Sequence, residues 1–135
     1  MRYALFAAIA TTVVLAGCGF NVQSPDLFLL TRTGPGTTLT LLVSDGGSIR
    51  CNGGAAKTIP NSVLLQARTL ASSLDKDAKA KLRLRSGADS VYSFTIKLQN
   101  GTIAFPDTAA ASHPELAQAE LFAVQAAHNQ CGLGS

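Results

Sequence analysis

Apolar residues at every second position, in two separate stretches, are the feature that most constrains what this chain can fold into. In the first stretch the alternation continues on both sides of the turn at 45–47, with Leu39, Leu41, Val43, Ile49 and Cys51 at its apolar positions. A three-residue loop pairs Val43 with Ile49 and puts all five side chains on one face, whereas a two-residue loop pairs Leu41 with Arg50. The sequence therefore predicts a hairpin with a three-residue loop, a glycine in the left-handed conformation, and Cys51 facing inward.

The second alternating stretch lies on either side of Asn100-Gly101. This dipeptide favours a two-residue hairpin turn of type I′, because both of its residues tolerate positive φ. Such a turn pairs Leu98 with Ile103 and Ile96 with Phe105, so that apolar residues of both strands share one face. We therefore predict a second antiparallel hairpin with this register.

Two segments have the three- and four-residue apolar spacing of an amphipathic helix. The first begins at about Ser62 and continues into the region 75–80. The second carries its apolar residues between 116 and 127; Ser112-His113-Pro114-Glu115 before it resembles a capping box, and Gly132 marks its end. Its many alanines predict close packing against a sheet, with no binding cavity.

The remaining apolar runs complete the prediction of the fold. Residues 27–33 and 37–44 are rich in Leu, Thr and Val and are joined by Gly-Pro-Gly at 34–36, which indicates another hairpin. Leu82 and Leu84 alternate with basic residues, which predicts a short, half-buried strand. The order strands, helix, strands, helix is typical of an α+β domain with an antiparallel sheet and both helices packed on one face.

The N-terminal segment has a different character from the rest of the chain. Arg2 precedes an apolar run from Ala4 to Leu15, and the small residues Ala16 and Gly17 follow. A basic start, a short apolar stretch and small residues before a cut are typical of a secretory signal, which is too short to serve as a membrane-spanning helix. We therefore exclude residues 1–17 from the fold.

The sequence Leu15-Ala16-Gly17-Cys18 resembles the lipobox of bacterial lipoprotein precursors. In that family the cysteine thiol receives a diacylglyceryl group and the preceding peptide bond is then cut. The resemblance implies a lipid anchor on Cys18, a place on the extracytoplasmic face of the cell membrane, and stable residence there, since two or more acyl chains hold a protein on a bilayer. An ordinary cleaved signal with a coincidental cysteine, or an N-terminal membrane helix, are the alternatives.

The size and charge of the mature chain limit its domains and partners. Of 135 residues, 118 remain after the 17-residue signal, with ten basic and eight acidic side chains and a net charge of +2. We assign residues 18–26 to a lipidated tether and residues 27–135 to a single domain. The small net charge and the export signal argue against a nucleic-acid partner, which leaves the membrane, through Cys18, and an unknown envelope protein or polymer.

The two cysteines other than Cys18 form an even pair in a compartment where thiols oxidise. We predict one disulfide between Cys51 and Cys131. The alternative is a metal site completed by His113 and His128. Neither a Cys-x-x-Cys nor a paired histidine spacing accompanies these residues, so the sequence predicts no metal and no cofactor.

No motif in the sequence indicates catalysis. No serine lies in a nucleophile-elbow pattern and neither histidine has a plausible partner beside it, so we expect a non-enzymatic binding domain. The one local concentration of charge contains Lys79, Lys81, Arg83 and Arg85, and this basic edge is a candidate for contact with an anionic surface. We favour the interpretation that it is a solvated face whose charges discourage the pairing of sheet edges.

One further resemblance suggests a different function. Residues 39–70, about a quarter of the chain, are loosely similar to the small secreted subtilisin-inhibitor family. The shared features are a strand ending in Cys51, the pair Gly53-Gly54, Pro60, and a helix that contains Ala67 and Leu70. The resemblance implies protease inhibition through the loop around Arg85 and Ser86, although the second cysteine that this family has in its helix, and its cysteine-anchored reactive loop, are missing here.

The lipid anchor leads to a direct prediction. Cys18→Ser removes the single acceptor thiol, so incorporation of a radioactive fatty acid into the chain should be abolished and the protein should leave the membrane fraction. Asn21→Ser is the matched control, since it introduces a serine into the same tether and leaves the acceptor thiol in place. Labelling of the Cys18→Ser variant at the level of the unaltered chain would contradict the assignment.

Overall fold

Six strands form one antiparallel sheet in this computed structural model, which describes residues 26–134 of the chain. The strands are β1 (Asp26–Gly34), β2 (Thr37–Ser44), β3 (Ser48–Cys51), β4 (Lys57–Thr58), β5 (Ser93–Leu98) and β6 (Gly101–Pro106), in the spatial order β4-β3-β2-β1-β5-β6. Helix α1 (Asn61–Lys79) connects β4 to β5, and a short 3-10 helix (Asp107–Ala111) leads from β6 into α2 (Pro114–Asn129). The predicted α+β class and order of elements are confirmed.

Both helices pack on the apolar face of the sheet. In the central strand β1, Phe28 and Leu30 are fully buried, and Leu30 pairs with Leu41 of β2 and Ile96 of β5. The rings of Phe28 and of Phe122 in α2 meet edge to face, with 5.5 Å between their centroids. The helices add a second layer to the same core, with Ala67, Leu70, Leu74 and Ala78 from α1 and Leu116, Ala119, Phe122, Ala123, Ala126 and Ala127 from α2.

The register of the β2–β3 hairpin is the predicted one. Leu41 pairs with Cys51, and Val43 pairs with Ile49 across a three-residue loop. Gly47, the last loop residue, has φ of +89°, a conformation that costs glycine little because it has no Cβ. The inward alternation of apolar side chains is therefore sufficient to set this pairing.

The register predicted for the second hairpin is wrong by two residues. Leu98 pairs with Gly101, Ile96 with Ile103, and the ring of Phe94 stacks on that of Phe105 at 5.2 Å. Gly101 does not form a type I′ turn; it allows the strand to lie close to α1. A Cβ at this position would collide with the carbonyl oxygen of Ala78 in α1. A shift of two residues leaves every side chain on its predicted face, so the core does not distinguish the two registers.

The strand predicted around Leu82 and Leu84 is reduced to one parallel bridge between Arg83 and Ala104 of β6. The Leu84 N–H donates to the Ala104 carbonyl at 2.9 Å, and the Ala104 N–H donates to the Leu82 carbonyl at 3.0 Å. The segment is short because the chain has to return from the outside of β6 to begin β5 on its other side.

The predicted capping box before α2 is also wrong. His113 occupies the N-cap position without a side-chain cap, and Pro114 is at the start of the helix. Ser112 instead ends the 3-10 helix, and its hydroxyl lies 3.2 Å from Nδ1 of His113. Proline at the first helical position has no N–H to be capped, which reduces the need for the box.

A disulfide joins Cys51 to Cys131, with 5.8 Å between their Cα atoms, as predicted. It ties the end of β3 to the chain just after α2, across 80 residues of sequence. Beside it, the Lys57 ammonium donates to the carbonyl of Gln130 at 3.4 Å. Since both sulfur atoms are bonded to each other, they are not available as the thiolates that the alternative metal site requires.

Removal of this disulfide should destabilise the fold strongly. In the chain-entropy model, a cross-link that closes a loop of this length stabilises the native state by about 4 kcal/mol. The double variant Cys51→Ser, Cys131→Ser should therefore lose about 4 kcal/mol of unfolding free energy in urea titrations. A loss below about 1 kcal/mol would show that the bridge constrains the unfolded chain far less than the model requires.

Candidate binding surfaces

A groove with a volume of about 650 Å³ lies between α1 and α2 on the side of the helices that faces away from the sheet. Leu70 and Phe122 are each 5% exposed and form part of its lining. Leu65 and Leu121 stand on its two sides with 60% and 49% of their surfaces exposed. The groove is therefore a concave apolar site of the size that binds small ligands or side chains of a partner.

The polar part of the groove is uncharged except at one position. Amide and hydroxyl side chains line it at Gln66, Thr69, Ser73, Gln118 and Gln125. Among the described residues of the lining, Glu115 alone carries a charge, and no cation is present. The groove can accept apolar groups and can form hydrogen bonds with neutral polar groups. Its lining provides no cation to pair with an anionic partner.

The groove corrects the prediction that the second helix implies no cavity. The sequence places Leu121 and Val124 in the apolar stripe of that helix, but they are 49% and 48% exposed. On α1, Leu65 likewise lies outside the stripe formed by Ala67, Leu70 and Leu74. Had each helix been assigned a single narrow buried stripe, Leu65 and Leu121 would have fallen outside it. The position of the two helices relative to each other could not be read from the sequence.

The basic edge consists of Lys79, Lys81, Arg83 and Arg85, and the structure brings these residues together beyond β6. Lys81, Arg83 and Arg85 are exposed and alternate with the half-buried Leu82 and Leu84. Lys79, at the end of α1, forms an ion pair of 2.7 Å with Asp75, which partly neutralises it. Three of the four predicted residues therefore form no ion pair with any residue in the range 26–134 and present their charge at the edge of the sheet.

The basic edge is continuous with the open face of the sheet, which is the face that the helices do not cover. Sequence reasoning missed this face as a binding surface. Thr31 pairs with Thr40 and Thr95, and Thr95 pairs with Ala104, the bridge partner of Arg83. The neighbouring row adds two cations and two leucines, in the order Lys97, Leu29, Leu42 and Arg50. Alternation alone could have assigned Lys97 and Arg50 to this face, because each stands between inward-facing residues.

The helix layer carries charges of both signs. Asp75, Asp77, Glu115 and Glu120 lie on the helices and Asp107 begins the 3-10 helix, while Arg68, Lys76 and Lys79 lie on α1. At the sheet, Asp26 stands at a paired position at the beginning of β1, and Asp89 lies in the loop that follows the basic edge. Cations therefore predominate on the open sheet face and its edge, whereas the helix layer carries both signs.

One carboxyl group has a strongly perturbed environment. Oε1 of Glu120 is buried and has no hydrogen-bond partner among the described residues. Burial, together with the negative charge of Asp107, raises the pKa of Glu120 to about 7. Burial also acts to raise the pKa of Asp107, but the backbone N–H groups of Tyr92 and Val91 donate to its carboxylate and hold that pKa below its usual value.

The remaining candidate residues are not brought into a reactive arrangement. His113 contacts the Ala109 carbonyl through Nδ1 at 3.2 Å, and His128 is exposed in the last turn of α2. Arg85 and Ser86 lie in an exposed loop, while the Cys51 disulfide lies near the other edge of the sheet. The inhibitor resemblance stays a prediction, and the structure gives its loop no disulfide clamp.

Comparisons with family models, with curated proteins and with solved structures give no match to this chain. Cys18, the predicted lipidation site, lies outside residues 26–134, so the structure does not bear on it. Within that range, neither helix has the length and apolar character needed to cross a bilayer.

The environment of Glu120 predicts a specific pH dependence. A carboxyl group whose pKa rises from 4.5 to about 7 on folding binds its proton more tightly in the native state. Its contribution to stability is therefore complete below about pH 4.5 and is lost as the pH rises towards 7. Urea midpoints of the unaltered protein should fall over this range, and those of Glu120→Gln should fall less.

Glu115→Gln is the matched control, since it removes a carboxylate from the same helix without touching Glu120. The lowered pKa values of Asp75 and Asp107 affect stability at pH values below 3.8, outside this window. An identical pH slope for Glu120→Gln and the unaltered chain between pH 4.5 and 7 would contradict the assignment.

Proposed function

We propose that this chain is a lipid-anchored protein of the bacterial cell envelope, on the extracytoplasmic face of the membrane. Its domain is a non-enzymatic binding module that lies with its open sheet face and basic edge on the anionic membrane surface. The observation that carries the proposal is the excess of cations on the sheet side, at Arg50, Lys81, Arg83, Arg85 and Lys97, compared with the helix layer, which carries both signs.

The position of the anchor supports this orientation. Cys18 precedes Asp26, the first residue of β1, by eight residues, which span at most about 29 Å when extended. A lipid on Cys18 therefore keeps the beginning of β1 within about 29 Å of the headgroups. Each basic residue near an anionic bilayer contributes about 1 kcal/mol, and this attraction acts over about 8 Å at physiological ionic strength.

The hydroxyl groups of the open face support the same use. Its central row presents Thr31, Thr40 and Thr95 side by side, and these hydroxyls can donate hydrogen bonds to phosphate oxygens. Lys97 and Arg50 stand in the next row, and Arg83 stands at the edge. Cations and hydroxyl donors spread over a broad face suit a surface of many phosphates better than one buried anion.

The binding role is favoured over catalysis by the contents of the two surfaces. In the groove the Ser73 hydroxyl donates to the Leu70 carbonyl at 2.9 Å, and no histidine lines it. The open sheet face carries threonines and cations without a base positioned beside them. Neither surface brings together a nucleophile and a base, as covalent or acid–base catalysis requires.

Vesicle flotation tests the orientation. The mature chain carrying Cys18→Ser, which has no acceptor thiol, should float with vesicles rich in anionic lipid at low salt and should dissociate as salt rises. Neutralising the basic edge with Lys79→Gln, Lys81→Gln, Arg83→Gln and Arg85→Gln should weaken binding by at least about tenfold. Arg50→Gln with Lys97→Gln should also weaken binding, because these residues belong to the same surface.

Lys57→Gln with Lys76→Gln is the matched control for the pair on the open face. It removes the same net charge from exposed positions elsewhere, since Lys57 lies beside the end of α2 and Lys76 lies on α1. If the control and the Arg50→Gln, Lys97→Gln variant floated equally, net charge alone would determine binding. Absence of binding by the unaltered surface at low salt would reduce the basic edge to a solvated face.

A further inference from the structure

We infer that the groove between α1 and α2 is a docking site for an amphipathic helix of another envelope protein, with an apolar face and neutral or basic polar residues. The groove is independent of the open sheet face in its residues and lies on the opposite side of the domain. The inference rests on the proposed function in one respect, which is the orientation of the domain on the membrane.

The exposed leucines indicate that this site binds something. Leu65 and Leu121, both in the lining of the groove, are 60% and 49% exposed. Below them, Leu70 and Phe122 are almost completely buried. Apolar side chains gathered at a concave site, rimmed by polar residues, are typical of an interaction surface on a domain that otherwise buries its apolar residues.

The shape and polar lining of the groove favour a helix over a strand. Along α2 the lining extends from Pro114 to Gln125, which corresponds to about 16 Å, or three helical turns. An extended segment would need partners for its backbone N–H and C=O groups, and the groove offers only side-chain amides and hydroxyls. A helix satisfies its own backbone and can insert side chains at the i, i+3, i+4 and i+7 positions between the two leucines.

The charge of the groove selects the chemistry of that helix. Glu115 is the charged member of the described lining, and it lies near the beginning of α2. An acidic segment would meet this carboxylate with no cation to compensate it. A lysine or arginine at the matching end of the partner helix would pair with Glu115, while the three glutamines tolerate neutral polar residues along the rim.

A second copy of this chain does not fit the site on the same membrane. If the open sheet face lies on the bilayer, the helix layer of every anchored copy points away from that bilayer. Two such copies cannot place their grooves opposite each other, as a two-fold symmetric pair would require. The acyl chains of the anchor are directed into the bilayer on the other side of the domain, so the partner is a different protein that approaches from outside.

Site-specific photo-crosslinking of the full chain in its own cells tests the inference. We place p-benzoylphenylalanine at Gln118 in the groove and, in a separate variant, at Thr95 on the open sheet face. Gln118 should form an adduct with another protein, and the crosslinked peptide should have helical apolar spacing and no acidic residue. Thr95 should form adducts with lipid.

Two glutamates within the groove should abolish this adduct. Leu65→Glu with Leu121→Glu should reduce the Gln118 adduct at least tenfold, because both side chains are exposed and the change adds two charges to the apolar walls. Asn61→Glu with Ser72→Glu adds the same charge at exposed positions of α1 outside the groove and should leave the adduct unchanged.

The two crosslinking positions separate failure of this inference from failure of the proposed function. Lipid adducts at Thr95 with no protein adduct at Gln118, or with an adduct to a second copy of the chain, would overturn the docking site alone. Lipid adducts at Gln118 with none at Thr95 would overturn the orientation as well. A protein adduct that survives the two groove glutamates would also contradict the site.

Discussion

Burial of one face of the sheet is the interaction on which the rest of the structure depends. Phe28 and Leu30 of β1 are removed completely from water, together with their neighbours on the same face. Each such side chain contributes roughly 1.5–3 kcal/mol, so both helices have to cover that face. As a consequence the other face has no helix on it and carries threonines and cations around Leu29 and Leu42, and the seam between the helices faces away from it. The two candidate binding surfaces are thus the two places that this packing leaves uncovered.

The helices are held to the sheet at different points, and this sets the groove between them. Near its middle, α1 is attached to the β2–β3 turn through Arg68, whose Nε donates to Asp45 at 2.6 Å. Near its end, Asp75 accepts from Asn100 at 2.7 Å, and this hydrogen bond and the ion pair with Lys79 lower the pKa of Asp75. The end of α2 is attached to β3 by the disulfide. Since these contacts fix each helix separately, the groove does not depend on direct polar contact between the helices.

The arrangement of charge gives the two surfaces different chemistry. Cations and threonine hydroxyls of the open face suit a broad anionic surface, whereas the groove, with its leucines and amides, suits an apolar segment without negative charge. Glu120 belongs to neither surface. Its unpaired oxygen lies where the 3-10 helix and α2 bring it near Asp107, and the raised pKa follows from packing. Under the proposed function, the domain faces the membrane with one side and a protein with the other.

Local patterns were sufficient wherever a single periodicity decided the outcome. Alternation together with helical spacing predicted the fold class. Alternation alone determined the β2–β3 register and the inward position of Cys51, because a shift of one residue would expose the whole apolar set. The register of the second hairpin could not be predicted from the sequence, since a shift of two residues keeps the same face buried. The close contact of Gly101 with Ala78 determines which register forms. The groove was also decided only by tertiary structure. The sequence marks which residues of a helix are apolar, but the spacing of two helices on a sheet determines whether Leu65 and Leu121 are buried between them or left exposed.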